Sequence, residues 1–152
     1  MHEEFSKIFY LYKDDIFRLA YSYTLNRSDA EDIVQNVFMK LYNNNKKIDA
    51  SYLKKWLVKV TVNESKNILR SNWFKNVFKD NEKVNNYSEL YSDKDVLDML
   101  RKIPKPYRMV LHLYYFEGYS IKEISNLLHK NENTIKTHLR RAKKELKMEM
   151  EV

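Results

Sequence analysis

Residues 119–146 read YSIKEISNLLHKNENTIKTHLRRAKKEL, and their pattern decides the fold. Ser120 is followed three residues later by Glu123, a capping box in which each side chain satisfies a free amide of a first helical turn. A short helix to Leu128 follows, and then a turn of His129, Lys130 and Asn131. Asn131 suits an N-cap, and Glu132 suits the positive start of a second helix reaching about Met148. Ile124, Leu127 and Leu128 can face Ile135, Leu139 and Ala142, with small Ser125 where the helices cross. His129 stands where such turns often hold glycine. A left-handed non-glycine residue costs roughly 1–2 kcal/mol, and histidine is among the better tolerated. The face opposite Ile135 and Leu139 carries Lys136, Thr137, Arg140, Arg141 and Lys144. From Lys130 to Lys147 there are seven basic and two acidic residues, a net of +5. A helix with one apolar stripe and a basic opposite face fits a duplex major groove, arginine reading guanine edges and lysine holding phosphate.

Working back toward the N-terminus, Gly118 supplies a left-handed stop for a helix predicted over Tyr107 to Glu117. Val96, Leu97 and Leu100 predict a short helix that ends before Pro104, because the residue before a proline avoids helical geometry. The stretch from about Asn76 to Asp93 lacks periodicity and is rich in Asn, Asp, Glu and Ser, as a flexible linker is. Three helices are predicted ahead of it. The first spans residues 3–25, with Phe5, Ile8, Tyr12, Ile16, Leu19 and Tyr23 at helical spacing. After a turn at Asn26 and Arg27, Ser28 and Glu31 read as a second capping box, and Ile33, Val37 and Leu41 as the buried stripe of the helix it opens. The third covers roughly Tyr52 to Ser71 and buries Leu53, Trp56, Leu57 and Val60. Trp56 reads as core rather than as a stacking platform. The expected architecture is all-α: two small helical domains, residues 1–75 and 94–152, joined by a linker over 76–93.

Charge is segregated along the chain. Residues 51–79 carry seven basic and one acidic side chain, residues 80–100 two and six, and residues 101–152 twelve and six. Two basic blocks around an acidic spacer suggest a polyanion touched at two places. Of 152 residues one is glycine and two are proline, which disfavours sheet folds with their many turns. There is no cysteine, so disulfides and thiolate chemistry are excluded. His2, His112, His129 and His138 show no ligand spacing, and neither a glycine-rich phosphate loop nor a nucleophile–base constellation is present. No metal, cofactor or catalytic residue is expected. Apolar runs fall short of a membrane span, and Glu3 and Glu4 stand where a signal peptide would be basic, so a cytoplasmic protein is expected.

The string from Gly118 to Leu128, with Asn131 to Ala142 after it, resembles region 4 of sigma factors, although output domains of response regulators look similar. The N-terminal half separates the two. Residues 29–38, DAEDIVQNVF, are similar to the region 2 helix of extracytoplasmic-function sigma factors, and residues 56–70, WLVKVTVNESKNILR, to the next helix of that region. Both occur in the expected order, and the resemblance covers nearly the whole chain.

The resemblance implies a subunit that binds core RNA polymerase and directs promoter-specific initiation without bond chemistry of its own. Its implied partners are the polymerase, through the largest-subunit clamp helices and the flap, promoter DNA, and an anti-sigma factor of the kind many relatives have. Asp32, Gln35, Asn36 and Met39, at i, i+3, i+4 and i+7, would form the clamp face. The family often has an acidic residue where Asn36 stands, so that contact is less ionic here. Lys55, Lys59, Asn63, Asn67 and Arg70 would meet the non-template strand of the −10 element, the two asparagines reading an extruded base. Lys136, Thr137, Arg140 and Arg141, with Lys144 on phosphate, would meet the −35 element. A helix-turn-helix regulator that acts without polymerase has no need of the N-terminal half.

Overall fold

No glycine or proline precedes Pro104, so helix ends in the first two thirds of the chain must be made by capping side chains and non-glycine left-handed residues. The computed structural model describes the backbone of residues 2–44, 46–78 and 100–150, and the side chains of 3–44, 46–68 and 100–147. Its described elements are helical throughout: α1 (His2–Thr24), α2 (Arg27–Tyr42), α3 (Ala50–Phe78), α4 (Lys105–Tyr115), α5 (Ile121–Leu128) and α6 (Glu132–Met150). They fall into two units, Met1–Val84 and Asn85–Val152.

In the first unit each of the three helices packs on the other two. Leu25 ends α1 in the left-handed region, at φ 47°, with its amide still donating to the Tyr21 carbonyl at 2.8 Å. Asn26 then caps α2, its side chain accepting from the Asp29 amide at 2.9 Å. The expected capping box at Ser28 is therefore corrected. Ser28 lies inside the first turn, and Glu31 instead pairs with Arg27 Nε at 2.9 Å. The core joins Ile16, Leu19, Ala20 and Tyr21 to Ala30, Ile33, Val37 and Phe38, and to Leu53, Leu57, Val58 and Val62. Phe5 meets the ring of Tyr42 edge-on at 5.2 Å, which sets the start of α1 beside the end of α2. Trp56 and Val60, expected in the core, are half-buried. Thr61 and Ser65 take the inner face of α3 and satisfy their hydroxyls on the carbonyls of Leu57 (2.6 Å) and Thr61 (2.7 Å).

The predicted end of the third helix at Ser71 is also corrected, since α3 continues to Phe78. Residues 71–78 contain neither proline nor glycine, and their apolar residues, Trp73, Phe74, Val77 and Phe78, keep helical spacing. The rest of the expected linker, residues 79–93, and the expected Val96 and Leu97 of the following helix lie outside the described residues.

In the second unit α4, α5 and α6 enclose Met109, Val110, Leu113, Ile124, Leu128, Ile135, Leu139 and Ala142, with Ile103. α4 begins two residues earlier than predicted, with Pro106 among its first residues, where a proline's fixed φ suits a helix start. Buried Arg108 reaches back to donate to the Ile103 carbonyl at 2.6 Å, anchoring α4 to the turn before it. α4 ends at Tyr115, two residues before the predicted Glu117, and Gly118 beyond it is left-handed as expected, at φ 72°.

Candidate nucleic-acid and polymerase interface

On α2 the residues expected to face the polymerase, Asp32, Gln35, Asn36 and Met39, are all exposed, while Ile33 and Val37 opposite them are sealed in the core. Met39 leaves 54% of its surface to solvent, an apolar centre within a polar face. The next residue, Lys40, forms an ion pair with Glu64 of α3. Glu64 is buried, and nothing in the local spacing pointed to it, because its partner lies on another helix.

On α3 the side chains of Lys55, Lys59, Asn63 and Asn67 are exposed. Successive positions four apart drift slowly around a helix, so these residues form an inclined row rather than a straight one. Leu57, Val58, Thr61, Val62, Glu64 and Ser65 take up the inner side, which forces the two amides outward between the lysines. The backbone of Arg70 continues the helix, but its side chain lies outside the described residues.

The second unit holds a helix-turn-helix built as the sequence implies. Ser120 and Glu123 exchange capping hydrogen bonds, each 3.1 Å long. His129 occupies the left-handed region at φ 55°, ψ 44°. Ser125 Oγ donates to the Lys130 carbonyl, and Asn131 Oδ1 accepts from the Thr134 amide at 2.7 Å. The turn is thus held from both sides, and the register of α6 on α5 is fixed. Burial, with Glu117 and Glu123 nearby, pushes the Tyr119 phenol up to about 12, so it stays neutral ahead of α5.

Along α6, Lys136, Arg140, Arg141 and Lys144 are exposed, and Thr137 is half-buried. The Thr137 hydroxyl donates to the Asn133 carbonyl at 2.9 Å, which turns its methyl group away from that bond. Arg141 Nη1 donates to the Tyr107 hydroxyl at 3.1 Å, and the Tyr107 ring lies 4.6 Å from that of His138. Neither Tyr107 nor His138 was singled out from the sequence. Tyr107 precedes Arg141 by 34 residues, a separation that no helical spacing reveals. Among the described residues His138 Nδ1 is buried without a hydrogen-bond partner. Burial, together with the charges of Lys130 and Arg141, holds its imidazole below the ordinary histidine range. Lys143 lies over the Tyr115 ring, 5.3 Å from its centre.

Among the described residues no group of His, Cys, Asp or Glu could hold a metal ion, and no helix is long and apolar enough to cross a membrane.

Both halves of the chain match family models: Sigma-70 region 2 over residues 8–75 and Sigma-70, region 4 over residues 93–146. The chain is 31% identical over 144 residues to RNA polymerase sigma factor SigV of Bacillus subtilis (strain 168), covering 91% of this chain and 86% of that one. It is 29% identical to the ECF RNA polymerase sigma factor SigM of the same organism, over 93% of this chain and 91% of the relative. Among solved structures, the sigma factor RpoE from Bartonella quintana, crystallised with the anti-sigma factor NepR, superposes with a TM-score of 0.81 at 22% identity. That match covers 99% of this chain and 98% of the other.

Proposed function

The chain belongs to the extracytoplasmic-function sigma factors of the sigma-70 family, and from that premise we propose which of its surfaces carries each part of promoter-directed initiation. It binds core RNA polymerase and directs it to promoters through −10 and −35 elements. The observation that carries this reading is the recurrence of an outward basic face on each of two separate helical units, on α3 and on α6. One basic helix serves many purposes, but two on one small chain suit one long polyanion touched at two places.

Asp32, Gln35, Asn36 and Met39 on α2 form the surface for the clamp helices of the polymerase. Lys55 and Lys59, with Arg70 further along the helix, follow the phosphates of the −10 non-template strand, and Asn63 and Asn67 read its bases. An amide both donates and accepts, as a Watson–Crick edge requires, and that edge is available only on an unpaired strand. Lys136, Thr137, Arg140, Arg141 and Lys144 meet the −35 duplex. The protein has no catalytic site of its own, since phosphodiester chemistry belongs to the polymerase, and it works in the cytoplasm where that enzyme is. The domain limits follow the same division, with the first domain extended from residue 75 to the end of α3 at Phe78 and the second beginning at about residue 94. An anti-sigma factor is a further partner, in keeping with the complex in which the Bartonella protein was crystallised.

Run-off transcription on a library of promoter fragments, with core polymerase and with or without this chain, tests the reading. Defined starts should occur only with both components, and a gel shift should show sequence-selective DNA binding only when core is added. Selective binding by the free chain, with no effect on polymerase, would instead identify an ordinary helix-turn-helix regulator.

A further inference from the structure

Arg140 and Arg141 are neighbours in sequence but leave α6 about 100° apart, and they differ in their surroundings. Arg140 projects into solvent. Arg141 is exposed too, yet its Nη1 is held 3.1 Å from the Tyr107 hydroxyl of α4. Tyr107 is half-buried, and its ring lies against His138 at 4.6 Å with 43° between the planes. His138 and Arg141 are three residues apart, so they occupy one face of α6, and a single side chain from another helix touches both. The phenol oxygen accepts the bond, which leaves the other N–H groups of the guanidinium unspent among the described residues.

We propose that Tyr107 is a positioning residue for DNA recognition, holding the Arg141 guanidinium in one orientation on the recognition helix. The proposal rests on the reading that α6 contacts the −35 element. A long arginine side chain loses rotational freedom when it binds. One already fixed by Tyr107 loses less and tolerates less change in what it meets. The two adjacent arginines thus divide the work: Arg141 is set before DNA arrives, and Arg140 adapts to it. Tyr107 is packed against its ring partner by the α4–α6 interface itself, so the orientation is built into the fold of the unit.

Tyr107→Phe keeps the ring against His138 and removes only the oxygen. The full chain, assembled with core RNA polymerase, is used to select from a DNA duplex pool randomised across the upstream promoter element. Wild type, Y107F, R141A and the double variant are compared for affinity, salt slope and selected bases, and the melting temperature of each free chain is recorded. Y107F should melt as wild type does and bind about three- to tenfold more weakly, the scale of one net hydrogen bond. It should depart from the wild-type selection profile or salt slope in the same way as R141A, to a smaller degree. The double variant should be no worse than R141A alone, because the tyrosine acts through the arginine. A Y107F profile identical to wild type overturns the inference, as does an additive double variant. So does a uniform loss that follows a lowered melting temperature, which would make the bond a mere staple between helices. An R141A defect without a Y107F defect removes only the inference. A wild-type holoenzyme that enriches no sequence removes the −35 reading and the inference together.

Discussion

At the scale of single residues, the two asparagines of α3 carry the sharpest expectation. Lysines alone would serve a phosphate backbone, so exposed amides in their midst point to base edges. Asn63→Ala should leave binding to core polymerase intact and lower transcription. If Asn63 reads a base, the defect should persist on a template whose −10 region is already mismatched, with preference lost at one position. Recovery on that template would assign Asn63 to melting, and a change in thermal stability alone would make it a packing residue. His138 supports a second expectation. Its folded-state pKa lies below the ordinary value, chiefly through burial and then through Lys130 and Arg141. A depressed pKa means that the unfolded chain binds the proton more readily. The stability contributed by neutral His138 is therefore complete above about pH 6.5 and is lost as pH falls below it. Thermal melts from pH 7.5 to 5 should show this decline, and His138→Gln should flatten it.

At the scale of elements, the helix-turn-helix was the part most legible in the sequence, because its controls are local. A capping box, a left-handed turn residue and an N-cap all act within four residues of where they are read. His129 at φ 55° was anticipated for that reason, and it supports a test. His129→Gly relieves left-handed strain but loosens the unfolded chain, so the second unit should gain at most about 1 kcal/mol. A loss of stability on chemical denaturation would contradict the assignment of strain. The start of α2 was misread because two capping side chains compete there. Leu25 turns left-handed one residue early, so Asn26, not Ser28, meets the free amides. The end of α3 was missed because polar composition was taken as a stop, although no residue there breaks a helix. The exposure of the α2 face, of Lys55, Lys59, Asn63 and Asn67 on α3 and of Lys136, Arg140, Arg141 and Lys144 on α6 followed directly from periodicity, whereas Thr137 is half-buried. Glu64 and Tyr107 could not, because each acts on a different helix. The α2 face has its own check: Asp32→Ala combined with Gln35→Ala should weaken capture by core polymerase while helicity stays unchanged. Unaltered capture would move the clamp contact elsewhere.

At the scale of the whole molecule, charge is the organising quantity. Residues 51–79 and 101–152 each carry a net of +6, and residues 80–100 between them a net of −4. A free chain with two basic faces would associate with any duplex through released counterions, and an acidic stretch between them would be expected to oppose that. Changing Asp80, Glu82, Glu89 and Asp93 to their amides should strengthen binding of the free chain to random-sequence duplex and steepen its salt dependence. Equal affinity before and after the change would show that the spacer has no electrostatic part in restraint.

The ion pair between Lys40 and Glu64 ties α2, the helix proposed to face the polymerase, to α3, the helix proposed to face DNA. Glu64 is almost wholly enclosed, with 11% of its side chain accessible, whereas Lys40 keeps 56%. The two ends are therefore unequal. Loss of the lysine leaves a largely enclosed carboxylate without that partner, while loss of the carboxylate only frees a lysine that already reaches water. Substitution along a lineage then has a preferred order: Glu64 can become neutral first and release position 40 afterwards, whereas the reverse path crosses a weakened intermediate. Among descendants of this chain, a changed residue 40 should rarely be found beside an unchanged Glu64. The history of the proposed polymerase surface would then be recorded in a residue hidden behind the proposed promoter surface.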